Sequence, residues 1–189
     1  LHLCHHNLET IETTSTTSDT LLAEVCMAAN YEAQSLIRDH PQHQGTNEGT
    51  ASQLCTVLAR SFADIGDIIR GRDIFHGNDE EKTKRDELDD KLKKIFKKIH
   101  DKLESPAKEY YEDKDPDNNF FKLREDWWNA NRQQVWKAIT CSKELKDKRY
   151  FRATCDSGDR QGPSVAKDHC RCKGDQVPTY FDYVPQYLR

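Results

Sequence analysis

No stretch of this chain approaches the roughly 18 consecutive apolar residues that a membrane span requires. The opening LHLCHHNLE holds neither the basic region nor the apolar run of a signal peptide. A strong charge imbalance is missing too: 29 Lys and Arg stand against 33 Asp and Glu, giving a net charge of −4 and a pI of about 6.1. That excludes a global cationic field for nucleic acid, so any polyanion has to meet a local patch. There is no C-x-x-C pair, which removes the usual ligand spacing of a thioredoxin-type redox site or a zinc ribbon. A Gly-rich phosphate loop, an H-E-x-x-H helix and a hydrolase-type Ser/His/Asp order are absent as well. The expectation is a protein without catalysis and without a cofactor.

What is present is a polar chain that can still build a core. Hydrophobic residues make up 35% and charged ones 33%, and three Trp, seven Tyr and seven Phe supply bulky side chains. At 189 residues the chain is long enough for one domain, or for the larger part of a bigger one. Its seven cysteines, Cys4, Cys26, Cys55, Cys141, Cys155, Cys170 and Cys172, are dispersed. Such a set reads as an extracellular disulfide framework. An odd number leaves one sulfur whose partner is expected outside the chain, as in a fragment.

Periodicity predicts four helices. The polar run TTSTTSD offers Ser18 or Asp19 as an N-cap, and Leu22, Val25, Cys26, Ala29, Ala33 and Leu36 then form one helical stripe. This helix is expected to stop before Pro41, with residues 40–50 as loop. Leu54, Leu58, Phe62, Ile65 and Ile69 mark the second helix. Its small residues Ala59, Ala63 and Gly66 admit a close neighbour, and Gly71 marks its end or a bend. After a polar connection over 76–86, the spacing of Leu88, Leu92, Ile95, Phe96, Ile99 and Leu103 predicts a helix over 85–104. Ser105-Pro106 ends it. The acidic loop EDKDPDNN leads to a helix from Phe120 to about Thr140, carrying Trp127, Trp128 and Trp136. From Cys141 onward the pattern is irregular and cysteine-rich. The fold class is mainly α.

Few residues invite chemistry. His2, Cys4, His5 and His6 are a potential metal set, but neighbours on a short segment rarely converge as zinc requires, so exposed histidines are the expectation. Asp64 and Asp67 share a helix face without a nucleophile or metal set beside them; ion pairs with Arg60, Arg70 or Arg72 are expected instead. The Trp127-Trp128 pair has the chemistry to stack on a sugar or base, yet its helix places it with core residues. Lys91, Lys94, Lys98 and Lys102 line one ridge about 16 Å long. That ridge is the candidate contact for sulfates of an anionic glycan, with binding that weakens in salt. Its rival reading is a solvated face partly neutralised by Asp86, Asp89, Asp90 and Asp101.

Three stretches, ARSFADIGDIIRGRD (59–73), REDWWNANRQQVW (124–136) and PTYFDYVPQYLR (178–189), together resemble one family. They look like the alpha-class Duffy-binding-like domain of the erythrocyte membrane protein 1 adhesins of Plasmodium falciparum. LHLCHHNLE and LLAEVCMAANYEAQSLI extend the resemblance over nearly the whole chain. It implies the central part, residues 1–189, of a disulfide-tied helical bundle of Duffy-binding-like type, with flanking parts missing on both sides. The implied role is a host-cell adhesion module, extracellular on the infected erythrocyte as part of a membrane-anchored, antigenically variant protein. Implied partners are host receptors or sulfated glycosaminoglycans (rosetting, cytoadherence), antibodies and neighbouring domains, with no nucleic acid and no membrane insertion by this segment. The alternative is a structural scaffold that presents variable loops while neighbouring domains bind. An invasion ligand of the same fold is a sister reading, against which DYVPQYLR argues. By the same similarity Cys55 pairs with Cys155, and Cys4 with a sulfur upstream. Cys26, Cys141, Cys170 and Cys172 remain unassigned, Cys170 and Cys172 being expected to take different partners.

Overall fold

The computed structural model of the chain describes residues 8, 11–13, 17–44, 51–74, 77–114, 116–150, 152–155, 162–166 and 168–189, with backbone alone for 40–44 and 51–52. Four long helices dominate: α1 (Ser18–Gln44), α2 (Ala51–Arg70), α3 (Asp79–Asp101) and α5 (Phe121–Ile139), with a short α4 (Ala107–Tyr110) before the last. The tail adds a two-stranded antiparallel ribbon, β1 (Ala153–Cys155) with β2 (Ser164–Val165), and several 3₁₀ turns.

The helix starts and stops follow from local chemistry. Asn78 caps α3: its side chain accepts from the Glu81 N–H, while the Glu81 carboxylate accepts from the Asn78 N–H. With Asp79, Glu80 and Glu81 in the first turn favouring the positive end of the helix dipole, α3 begins well before the expected Arg85. It also ends at Asp101 and not at Glu104. α1 runs on through Pro41 to Gln44, although a proline there removes one helical hydrogen bond and crowds the carbonyl four residues earlier. Gly71 closes α2 as predicted, with φ of 70°. Phe120, at φ 52°, turns the chain into α5, and its N–H donates to Asp113 Oδ2 at 2.6 Å.

One core joins these elements. α5 lies at its centre. Trp127 donates to Ser18 Oγ (2.9 Å) on α1, Trp128 packs on Phe62 and Gly66 of α2, and Trp127 meets Phe96 of α3 edge-on. A Cβ on Gly66 would sit 2.8 Å from the Trp128 ring, which accounts for the small residue that the sequence reading singled out. α1 and α2 are linked by a buried hydrogen bond from Ser61 Oγ to Glu32 (3.0 Å).

The disulfides correct one expectation. Cys55 bonds to Cys170 and Cys155 to Cys172, so the Cys55–Cys155 pairing is overturned. Cys155, on β1, lies with its Cα 5.3 Å from that of Cys172. Cys170, at φ 54°, turns toward α2, where the Cα of Cys55 is 5.6 Å away. Both separations suit a bridge. As expected, the neighbours Cys170 and Cys172 take different partners. The first bond ties α2 to the tail; the second closes the tail on itself.

Candidate functional site

The α3 ridge is the one surface the sequence nominated. Leu88, Leu92, Ile95 and Phe96 face the core, so the four lysines fall on the flank and outer side of the helix. They are not equivalent. Lys94 and Lys102 are exposed, whereas Lys91 and Lys98 are half-buried. Lys98 directs its ammonium to the Thr13 carbonyl, and Lys93 pairs with Asp89 at 3.2 Å. Asp89 also receives the Arg124 guanidinium at 2.8 Å. Lys97, beside Lys94, is exposed as well. The ridge is therefore broken at Lys98, and its open ammonium groups are Lys94, Lys97 and Lys102.

A second basic strip went unnoticed in the sequence. Between Ser142 and Arg152 lie Lys143, Lys146, Lys148, Arg149 and Arg152 against only Glu144 and Asp147. Lys143, Lys146, Arg149 and Arg152 are exposed. The signal was composition within the segment KELKDKRYFR; without helical period it reads as irregular tail.

The three quoted stretches converge on one buried polar network. Asp182, in the 3₁₀ turn Phe181–Tyr183, is 1% exposed. Its carboxylate accepts from Arg132 Nη2 (2.7 Å), Arg132 Nε (2.8 Å) and Trp128 Nε1 (2.9 Å). Its carbonyl takes the Arg70 guanidinium, which also reaches Asp67 (2.9 Å) and the Gly66 carbonyl (2.9 Å). Arg189 closes the set on Asp64 (3.1 Å) and Asp67. Arg124 donates to the Ile68 and Ile69 carbonyls beyond the end of α2's ladder. So Asp64 and Asp67 are ion-pair partners, though Arg189 takes the place expected for Arg60, and Arg72 turns instead to Glu125 (2.9 Å). Burial pushes the Asp64 carboxyl up, with Arg189 drawing it partly back, and burial likewise lowers Arg124 against the pull of Asp89. Trp127 and Trp128 are buried, so neither ring is open for stacking on a sugar or base.

Two shallow clefts, of about 160 and 210 Å³, flank this network; both fall below the roughly 300 Å³ at which small-molecule sites begin. The larger is rimmed by exposed Tyr183, Tyr187 and Ile74. No cluster suited to a metal occurs among the described residues, and His2, Cys4, His5 and His6 lie outside them. Within the same limits, no helix is long and apolar enough to cross a membrane.

Comparison with known proteins shows a match to the Duffy binding domain over residues 1–189. The chain belongs to that family. No curated protein matches it. Among solved structures it is similar to the NTS-DBL1(alpha-1) domain of the Plasmodium falciparum membrane protein 1 (PfEMP1) from the varO strain, with 39% identity and a TM-score of 0.76. That match covers 99% of this chain and 40% of the other. The NTS-DBL1-alpha and CIDR-gamma double domain of the same strain gives 39% identity and 0.74, over 99% and 25% of the two chains. The ICAM-1-binding PfEMP1 IT4var13 DBLbeta domain gives 32% and 0.70, over 100% and 39%. The chain thus spans less than half the length of the structures it matches.

In this Duffy binding domain the buried network joins the three stretches. They hold α2, α5 and the C-terminal turns together, with Asp67, Arg70, Arg124 and Asp182 buried inside the molecule.

Proposed function

We propose that this chain is the central part of a non-catalytic host-cell adhesion module, displayed on the infected erythrocyte within a longer, membrane-anchored, antigenically variant protein. The observation that carries the reading is the match of the whole chain to the Duffy binding domain, with an ICAM-1-binding DBLbeta domain among its structural neighbours. The partner is a red-cell or endothelial receptor, or a sulfated glycosaminoglycan in rosetting, and antibodies meet the same exposed face. Contact with a sulfated chain runs through Lys94 and Lys102, joined by Lys97; Lys91 and Lys98 sit at the edge of the ridge.

Heparin chromatography tests the ridge. Charge reversal of Lys94 and Lys102 should lower the salt needed for elution, because exposed cations act through screened attraction. Lys98→Ala should leave elution near that of the parent. Unchanged elution of the double variant would remove the ridge and leave the family assignment untouched.

A second reading has its own support. The buried polar network that joins the three motif segments through Arg70, Arg132 and Asp182 fits a scaffold that holds variable loops while neighbouring domains of the same adhesin bind. Binding of red cells by a neighbour, and none by this domain, would favour it.

A further inference from the structure

α3 divides its charge in two. Residues 79–90 hold seven acidic and three basic side chains, a net −4, whereas residues 91–101 hold five lysines and one aspartate, a net +4 with His100 neutral. Acid at the start and base at the end suit the helix dipole, but that attraction fades within the first and last turns. Glu87, Asp90, Lys94 and Lys97 lie between those turns, and the dipole does not account for them.

All four are exposed. With Thr83 and Asp101 they recur at alternating intervals of four and three, the spacing of a single helix face. That face lies opposite Leu88, Leu92, Ile95 and Phe96, which point into the core. Among the described residues, Glu87, Lys94 and Lys97 carry no ion pair, and Asp90 reaches only Lys93, at 3.9 Å. The order along the stripe is acid, acid, base, base, centred on position 92: Glu87 and Lys97 stand five residues either side of it, Asp90 and Lys94 two. A second copy turned through a twofold axis at that level, its α3 antiparallel to the first, therefore sets Lys97 against Glu87 and Lys94 against Asp90, each pair made twice. Thr83 falls opposite Asp101, so no like charges meet along the stripe. The paired stretch is about 15 Å long on each helix. A parallel arrangement in the same register would set acid on acid and base on base.

We propose that the outer face of α3 is a self-recognition surface, through which two copies of the chain pair antiparallel by the charges of Glu87, Asp90, Lys94 and Lys97. Exposed ion pairs are individually weak, and the stripe holds no apolar residue, so the pairing is reversible and sensitive to salt. The net charge of −4 on each copy opposes it only diffusely, whereas the four residues meet opposite charges at contact distance. The pairing does not rest on the glycan reading. It uses two of the same lysines, however, so a bound sulfated chain and a second copy exclude each other.

Sedimentation velocity of the folded chain over a concentration series tests it. The sedimentation coefficient of the parent should rise with concentration in about 0.01 M salt and stay monomeric in about 1 M, as the screening length falls from about 30 Å to about 3 Å. Glu87→Lys with Asp90→Lys leaves the four positions all basic; Lys94→Glu with Lys97→Glu leaves them all acidic. Each double variant alone should remain monomeric at both salts. An equimolar mixture of the two, each with the parent's far-ultraviolet circular dichroism, should associate at low salt at least as strongly as the parent. Heparin elution separates this result from the glycan reading: the all-basic variant should elute at no lower salt than the parent, although it has lost self-association. A parent that stays monomeric at low salt, association that survives high salt, or a mixture of natively folded variants that stays monomeric would each overturn the proposal.

Discussion

Truncating Asp182 to alanine would leave the Trp128 indole N–H and the Arg132 guanidinium without their shared buried acceptor. Removing one partner of a buried ion pair costs about 3–5 kcal/mol, so Asp182→Ala should lose that much in urea unfolding. Gly66 makes a smaller but equally local point. A methyl there gains about 0.5–1 kcal/mol of helix propensity. It also enters the space of the Trp128 ring, where overpacking costs about 1–3 kcal/mol. Gly66→Ala should therefore be destabilised by about 1 kcal/mol net, with the midpoint shifted and the slope of unfolding unchanged. At this scale the sequence was partly readable. The strip of Ala59, Ala63 and Gly66 announced a close neighbour, and the structure shows that neighbour to be Trp128. Nothing in the local pattern announced that Arg189, and not Arg60, would pair with Asp64. That pairing joins residues 125 positions apart and exists only once the chain has folded back.

Among elements, α2 and α5 were legible almost to their ends because their apolar periods are unbroken. α3 began earlier than its hydrophobic stripe because a capping box and acidic turn, not burial, set its start. α1 also outran its stripe, continuing through Pro41 to Gln44. The disulfide pairing was not legible from spacing, since it depends on where β1 and the turn at Cys170 place their sulfurs. The two bonds should differ in weight. Sequence separations of 115 and 17 correspond to roughly 5 and 3 kcal/mol of loop-closure entropy. Replacing Cys55 and Cys170 by serine should accordingly lower the melting temperature more than replacing Cys155 and Cys172, as differential scanning calorimetry of the two double variants would show. Equal shifts would mean that native packing, not chain entropy, sets their contribution.

For the molecule as a whole, the division of labour is between interior and surface. The motifs that identify the family are spent on holding helices together, and they say little about what the exposed face touches. That is why the fold could be read from three short stretches while the ridge needed the structure to show Lys98 turned inward and Lys97 left open. The central claim, that this face belongs to an adhesion module, is tested most directly by binding of the folded chain to red cells, ICAM-1 and sulfated glycans. Saturable binding to at least one of them is expected, weakened by reversing Lys94, Lys97 and Lys102 when the partner is a sulfated glycan. A folded, disulfide-bonded chain that binds none, beside a neighbouring domain that binds, would contradict it.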